Sequence, residues 1–319
     1  MNSIKKSSEK IISYAMFVFV ALVWGLSFLV TKEALSSLST TEVLAVRWGM
    51  SAIFFIFLAA TGIVKVNYKG KNIKGLIMLV LCQPCTYAIM ECIGVDRTTA
   101  TESSIMIAAV PIIVVIESMV FLKKLPGKMA TLGVLIGFSG VVLCIMPGAT
   151  DSTGSQLVGY LCLLIAITVG AGYNIGTGLL SSEFSVLEIS CAMSVGGGIF
   201  FTILSLIVGN GAHPYKVFFA GGAVTWQLIF LGLGCGVLCY AMYNYNLGKF
   251  PSTIASCIQT NSINIVGVVA GIVILGDPWG WYTVVGLLLA MAGIVICAFN
   301  SNDGSKKDDK KALTNDLVM

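Results

Sequence analysis

The second half of this chain repeats the first half at one fixed spacing. Between Tyr87 and Cys144, positions carry matching side chains 153 residues further on, without a gap. The matching pairs are Tyr87 and Tyr240, Glu91 and Asn244, Leu122 and Leu275, Gly133 and Gly286, Gly140 and Gly293, and Cys144 and Cys297. A chance similarity would not keep one spacing through several loops. Carriers use a duplicated set of membrane helices to build one central site between two gates, so the repeat indicates transport.

Composition indicates a membrane protein. Hydrophobic residues make up 57% of the 319 residues and charged residues only 11%, whereas a soluble domain carries about 25% charged residues. Apolar stretches of about 20 residues, long enough to cross a bilayer, recur near 12–31, 43–63, 75–95, 103–122, 129–147, 157–180, 186–208, 226–247, 252–275 and 280–299. We therefore predict an all-α membrane protein with ten transmembrane helices. The loops leave no room for a soluble catalytic domain, so we do not expect an enzyme.

The predicted spans divide into two five-helix repeats. The first covers residues 12–147 and the second 157–299, with tails at 1–11 and 300–319. The N-terminus imitates a signal peptide, but the apolar run is too long, contains Trp24 and lacks a small-x-small cleavage site. We expect this run to be retained as the first span. The polar, mixed-charge C-terminal tail is typical of a disordered segment.

The basic residues predict the orientation. Of the 19 Lys and Arg, 15 lie in the tails and even-numbered loops, three lie on the opposite face, and Arg47 lies within the second span. The positive-inside rule then places both termini in the cytoplasm, with the spans in the plasma membrane. Because five is an odd number, the two repeats must be inverted relative to each other.

Several short motifs occur in the order found in a known family. They are Trp24-Gly25-x-Ser27-Phe28, Arg47, Glu91 followed by Thr98-Thr99-Ala100, Pro111, Phe121-Leu122, and Leu275-Gly276-Asp277 followed by Gly286 and Gly293. In these motifs the chain resembles the EamA-type family of the drug/metabolite transporter superfamily. The resemblance implies two inverted five-helix bundles, alternating access by rocking of the bundles, and export or exchange of small organic metabolites. The chain departs from the family pattern at Lys124, Asn264 and Asp277.

Glu91 is the first candidate for a functional ion. Gln83, Tyr87 and Glu91 follow one another at intervals of four residues, which stacks them on one face of the third predicted helix. Their repeat partners Tyr240 and Asn244 stack in the same way on the eighth. A carboxylate there could bind a substrate amine or take up and release a proton. The alternative is a salt bridge or helix cap near the outer surface.

Two further ions lie at membrane depth. We interpret Arg47 and Glu117 as structural ions, because intramembrane charges commonly pair with each other or extend to the interface. Glu117 would pair with Arg47 or with nearby lysines. The functional alternative for Arg47 is contact with an anion or a carboxylate.

Aromatic and amide side chains predict a binding pocket. Small-molecule pockets are mostly apolar or aromatic, with a few placed polar groups. Together with Glu91, the predicted substrate-binding residues are Trp24, Ser27, Tyr87, Tyr173, Asn174, Tyr240, Tyr243, Asn244, Asn261 and Asn264. For the tyrosines near span ends, the alternative is an interfacial aromatic belt.

Glycine and proline predict close packing and bends. Gly133, Gly137 and Gly140 share one face of the fifth predicted helix, and Gly286 and Gly293 share the matching face of the tenth. Small residues at this spacing let helix backbones approach closely, either within the chain or across a dimer. Pro84 and Pro111 are expected to bend their helices.

Cysteine and histidine give little support to enzymatic chemistry. Cys82-Gln83-Pro84-Cys85 has the C-x-x-C spacing used in redox proteins, so a membrane thiol oxidoreductase is a remote alternative. The pair is predicted near the reducing, cytoplasmic side, and no second matched pair serves it. The single histidine, His213, falls in a predicted outward loop and cannot form a metal site alone. We expect neither a cofactor nor a metal.

The sequence thus predicts a secondary transporter that exports small polar or zwitterionic metabolites, with amino acids as the leading candidate. The alternative substrates are sugars or nucleoside-like solutes, taken up or exchanged. The expected partners are a small molecule and the lipid bilayer, with no nucleic acid. The protein is expected to be a monomer or a homodimer.

Overall fold

The described part of the protein is helical throughout. A computed structural model describes residues 2–121, 128–150, 154–208, 211–240, 242–243 and 252–296, and every regular element in these ranges is a helix. The all-α class predicted from the sequence is confirmed. The predicted C-terminal tail at 300–319 lies outside the described residues.

We number the helices of these ranges α1 to α11 along the chain. They are α1 (Asn2–Leu35), α2 (Thr40–Ala60), α3 (Ile73–Arg97), α4 (Ala100–Ile107 and Val110–Phe121), α5 (Lys128–Thr150), α6 (Gly154–Leu180), α7 (Val186–Val208), α8 (His213–Ala220), α9 (Ala223–Cys239), α10 (Ser252–Ala270 continuing as Gly271–Leu275) and α11 (Trp281–Ile296).

Most of these helices are suited to a bilayer. Within the described ranges, six are long and apolar enough to cross a membrane, namely α1, α2, α3, α4, α6 and α7. The pair α8 and α9 passes the same test together but is bent by 107°. Shorter apolar helices lie in α5, α10 and α11, over Thr131–Met146, Gln259–Leu275 and Trp281–Ile296. The protein is therefore an integral, multi-pass membrane protein.

Helix α8 corrects one expectation from the sequence. The region around His213 was predicted to be a loop, but it forms a helix whose first turn contains Pro214. Proline suits this position because the first N–H groups of a helix have no partner within the helix. Tyr215, Val217 and Phe218 pack against the apolar core between α1, α2 and α9. Eight residues are too few for a span, so a search for spans misses this helix.

Two equivalent helices contain wide, π-helical turns. In α3 the π segment is Leu81–Tyr87 and includes Pro84. In α9 it is Phe230–Cys239, which overlaps the equivalent stretch under the 153-residue spacing. Proline removes one N–H donor and displaces the preceding carbonyl, which explains the irregular turn in α3. The second segment has no proline and instead contains Gly232, Gly234 and Gly236.

Pro111 has the expected effect on α4. The helix is interrupted at Ala108 and Ala109, immediately before the first turn that contains Pro111. At the repeat-equivalent position of α10, Asn264, the helix continues without a break. Asn264 therefore does not interrupt this helix.

Helices that correspond in the two repeats pack in corresponding pairs. Helix α1 packs along α10, and its equivalent α6 packs along α4. Likewise α3 packs on α6, and α9 packs on α1, while α2 and α7 pack directly on each other. The α2–α7 contact is close, because an added methyl group at Gly198 would lie 2.7 Å from the Ala52 methyl group and 3.1 Å from the Trp48 carbonyl oxygen.

The glycine faces meet where α5 packs on α11. A methyl group added at Gly140 would lie 2.5 Å from the carbonyl oxygen of Gly286. A methyl group added at Gly293 would overlap the backbone of Gly137 and lie 2.6 Å from the carbonyl oxygen of Gly133. The backbones thus touch within one chain, as small residues allow in lipid.

An ionic contact holds the start of α7. Glu188 receives two 2.8 Å hydrogen bonds from the Lys71 ammonium group and one from the backbone N–H of Asn67. It also accepts from the N–H of Ser185, the residue before the helix, as in a capping box. Tyr68 donates to the Glu188 carbonyl oxygen at 2.9 Å. Burial, with nearby Cys191 and Glu188, raises the pKa of Tyr68, so its hydroxyl keeps the proton that it donates.

The start of α2 carries the equivalent contact. Glu42 accepts from the N–H and the hydroxyl group of Ser39 at 2.9 and 2.8 Å, again a capping box. Its second oxygen lies 2.8 Å from Nδ1 of His213 on α8. The two contacts, which we call the Glu42 clamp and the Glu188 clamp, lie at opposite ends of the bundle and differ in the cation.

Candidate functional site

An aromatic cluster joins α1 to α9. The Trp24 ring meets the ring of Tyr240 edge to face at 5.2 Å and that of Tyr243 at 5.5 Å. The Trp24 indole N–H donates to the carbonyl oxygen of Cys235 at 3.2 Å, which fixes the orientation of the indole. Three predicted site residues from the two halves of the sequence thus come together.

Close backbone packing positions Trp24. A methyl group added at Gly25 would lie 2.5 Å from Val266 on α10, so glycine allows α1 to approach that helix. Ser27 donates its hydroxyl hydrogen to the Trp24 carbonyl oxygen at 2.6 Å. The hydroxyl hydrogen of Ser27 is therefore donated to the backbone of its own helix, α1.

Tyr87 and Glu91 form a pair on α3. The Tyr87 hydroxyl group donates to Oε1 of Glu91 at 3.1 Å, as the four-residue spacing predicts. The Tyr87 ring lies against the bare backbone of Gly170 on α6. Tyr87 is the last residue of the π segment of α3 and Glu91 lies one turn beyond it, so the wide turns set the direction in which the pair points.

Arg47 is the cation opposite this pair. It interacts electrostatically with Glu91, and Cys92, Cys235 and Tyr240 are also close to it. Arg47 and Glu91 nevertheless form no salt bridge, since the ion pairs of the described side chains are Lys71–Glu188 and His213–Glu42.

These side chains line an internal space. Arg47, Tyr87, Glu91 and Tyr240 lie deep among the helices, yet each keeps part of its surface uncovered. A side chain that is surrounded but not covered must border a gap between helices. Gln83 lies within hydrogen-bonding reach of the Tyr240 hydroxyl group, so it borders the same space.

Tyr173 and Asn174 have different surroundings. The hydroxyl group of Tyr173 lies 3.1 Å from the sulfur of Met193, and the ring is close to Tyr240. Asn174 is exposed on the outer surface of α6. Adjacent residues on a helix point in different directions, so the two cannot share one pocket face. Asn174 lies apart from the cluster.

The amides of α10 face other helices. Asn264 is fully buried, and its Oδ1 lies 3.3 Å from the hydroxyl group of Ser104 on α4, which donates to it. Its Nδ2 group has no hydrogen-bond partner among the described residues. Asn261 is half-buried. Asn244 lies outside the described residues, so its predicted role in substrate binding stays a prediction.

Glu117 does not reach Arg47. Its Oε2 atom is covered, lies near Gly172 on α6, and has no hydrogen-bond partner in the described ranges. The lysines at 123 and 124 that were proposed as partners lie outside those ranges. Cys82 lies near Glu117, and both Cys82 and Cys85 are free thiols. Among the described residues, no group of His, Cys, Asp or Glu could hold a metal ion.

Polar contacts close one end of the bundle, the end where α1 stops. The Lys32 ammonium group donates to the carbonyl oxygens of Val95 and Thr98, which terminate α3. Gly276 adopts a left-handed conformation with φ 71°, which favours glycine. This turn lets Asp277 accept from the N–H of Thr101 at the start of α4, at 2.8 Å.

A third contact at this end joins the two halves of the chain. Tyr160 on α6 donates to Glu102 on α4 at 2.7 Å, and Gln156 donates to the Tyr160 hydroxyl oxygen. Sequence reasoning missed these contacts and the two clamps, because their partners lie far apart in the chain. The one local signal was a carboxylate three residues after Ser39, Thr99 and Ser185, which marks a capping box.

The chain matches one family over most of its length. The model of the EamA-like transporter family matches residues 11–146 and 157–299. The uncharacterized transporter YcxC of Bacillus subtilis is 25% identical over 303 residues, covering 92% of this chain and 95% of that protein. An uncharacterized transporter of Archaeoglobus fulgidus is 25% identical over 276 residues, covering 86% and 94%.

A solved crystal structure has the same fold. It superposes with a TM-score of 0.63 over 91% of this chain and 96% of its own, at 12% sequence identity. At this identity the similarity concerns the fold alone. The family match and the transporter relatives point to a transporter rather than to an enzyme.

Proposed function

The chain belongs to the EamA-like transporter family, and on this premise we propose that it is a secondary transporter that exports small zwitterionic metabolites, with amino acids as the leading class. The observation that carries the proposal is the internal space bordered by Trp24, Tyr87, Glu91 and Tyr240. Aromatic walls with one carboxylate suit a small ligand that has an apolar part and an amine.

The proposed architecture is ten spans in two inverted five-helix repeats. Six spans, one bent pair and three shorter apolar helices of the described ranges are compatible with it. The pairing of α1 with α10 and of α6 with α4 supports an exchange symmetry between the halves. So do the Glu42 and Glu188 clamps, which join equivalent helix starts to equivalent connecting segments. Both termini lie in the cytoplasm in this proposal, and the membrane is the plasma membrane.

Transport proceeds by rocking of the two bundles. The contacts of Lys32, Asp277 and Tyr160 close the end of the bundle that faces outward in this topology. Export requires these contacts to break while the opposite end closes around the same space. The two π segments border the space from both repeats, and such turns frequently occur at functional sites.

Glu91 is the proposed coupling residue. A carboxylate enclosed among helices favours its neutral form unless a cation stabilises it. Substrate amine and proton therefore compete for Glu91, and the Tyr87 hydroxyl group orients the carboxylate. Release of the substrate on one side and of a proton on the other would link the two fluxes.

The test is uptake into proteoliposomes of a labelled amino-acid panel, with and without an imposed pH gradient. We expect saturable uptake that the gradient accelerates in the wild type but not in Glu91→Gln. Glu33→Gln is the matched control, since Glu33 is exposed at the end of α1 and should behave as the wild type.

Two other outcomes would change the proposed coupling or the proposed substrate class. Equal, gradient-independent uptake by the wild type and Glu91→Gln would make the protein a facilitator and leave Glu91 a structural role. Uptake of sugars or nucleosides without any amino acid would replace the substrate class.

A further inference from the structure

Arg47 differs from the charged side chains that hold the ends of the helices. Glu42 and Glu188 have at least three polar contacts each, and Lys32 donates to backbone carbonyl oxygens. In the described part of the chain, the guanidinium group of Arg47 donates no hydrogen bond and forms no ion pair. A cation at bilayer depth is costly unless it faces water or a partner. An unpaired arginine there indicates a site for an anion.

The backbone around Arg47 is held firmly. Ser51 donates to the Arg47 carbonyl oxygen at 3.2 Å and to that of Gly232 at 2.8 Å, which ties α2 to the π segment of α9. A methyl group added at Gly232 would lie 3.1 Å from the Arg47 carbonyl oxygen. The side chain therefore projects from a fixed point, while its charged end remains available.

The surroundings select the kind of anion. Glu91 interacts electrostatically with Arg47, and it would repel a ligand with only negative charge. A ligand with one negative and one positive group satisfies both residues and keeps the space neutral. The planar guanidinium group matches a carboxylate with two parallel hydrogen bonds, which makes a carboxylate the best-fitting anion.

We propose that Arg47 binds the carboxylate of the substrate while Glu91 receives its ammonium group. This inference rests on the proposed transport function and makes it narrower, because it requires a free carboxylate and a free amine on one small molecule. It also revises the interpretation of Arg47 as a structural ion. Arg47 then determines which amines the site accepts.

The test compares three matched sets of ligands, built on alanine, leucine and phenylalanine. Each set contains the amino acid, its amide and its decarboxylated amine. Dissociation constants are measured by titration calorimetry on the full chain in nanodiscs, for the wild type, Arg47→Gln and Arg47→Lys. Arg97→Gln is the control, because Arg97 is exposed at the end of α3. Size-exclusion profiles and thermal unfolding check that each variant is folded.

The wild type should bind the amino acid about 10- to 100-fold more tightly than its amide or amine, since a charged hydrogen-bonded pair is lost with the carboxylate. Arg47→Gln should remove this preference and leave amine binding unchanged or stronger. Arg47→Lys should keep part of the preference, because it retains the charge but not the paired hydrogen bonds.

Two results would overturn the assignment of Arg47 while transport still stands. One is equal affinity of the wild type for acid and amide, and the other is equal weakening of all three ligands by Arg47→Gln. If the wild type binds only amines, or none of the ligands, the amino-acid proposal fails together with this inference.

Discussion

The contact between α5 and α11 allows a quantitative test of backbone packing. Substitution of Gly140 by alanine adds one methyl group at 2.5 Å from the Gly286 carbonyl oxygen, 2.6 Å from the Ala290 nitrogen and 2.8 Å from the Leu289 Cβ atom. Two of these neighbours are backbone atoms of a continuous helix, so they cannot move away independently. Overpacking of this kind costs about 1–3 kcal/mol, and we expect the upper part of that range.

A control substitution separates packing from helix propensity. Gly178 lies in α6, is exposed, and has nothing within 4 Å of an added methyl group. Gly178→Ala should therefore gain about 0.5–1 kcal/mol from the lower chain entropy of alanine. The two variants should differ by about 3 kcal/mol, with opposite signs relative to the wild type.

The assay is equilibrium unfolding in mixed micelles of increasing SDS content, followed by tryptophan fluorescence. Adding Gly286→Ala to Gly140→Ala gives a second check. Both methyl groups would open the same gap, so the combined loss should be smaller than the sum of the separate losses. If Gly140→Ala is as stable as the wild type, the helices do not meet at this crossing and the packing argument is wrong.

Three further predictions concern contacts away from the central space. Glu188→Gln should lower the free energy of unfolding by about 1–3 kcal/mol, because a buried carboxylate with charged and backbone donors is lost. Lys71→Gln should lower it less, because the Lys71 side chain is 23% exposed. If both variants are as stable as the wild type, this prediction is wrong. Asp277→Asn should speed opening of the end of the bundle where α1 stops, seen as faster labelling of a cysteine introduced at Thr101, and unchanged labelling would refute the closing role. The double variant Cys82→Ser, Cys85→Ser should retain most transport, whereas complete loss would favour thiol chemistry.

Local periodicity explains what the sequence predicted well. The pairing of Tyr87 with Glu91 follows from a four-residue spacing on one helix, and the interruption of α4 before Pro111 follows from the covalent structure of proline. The repeat, in contrast, suggested Tyr173 and Asn174 together, and Asn174 is exposed on α6 because neighbouring residues on a helix diverge in direction. When a pocket is deduced from composition, the direction in which each side chain leaves its helix must also be compared.

Contacts between distant segments were beyond sequence reasoning. A carboxylate three residues after a serine marks the capping boxes at Glu42 and Glu188, but it does not reveal their partners His213 and Lys71. Nothing in the sequence indicated that Arg47 would lack a partner, because that depends on how α2, α3 and α9 are placed together. The π segment of α9 was also unexpected, since it contains no proline that would predict an irregular turn.

The two clamps have a consequence for the resting state. In a molecule made of two identical inverted halves, the inward-open and outward-open forms would be related by a two-fold rotation and would have equal energy. Here one clamp uses Lys71 and the other uses His213, so opening either end of the bundle breaks a different contact.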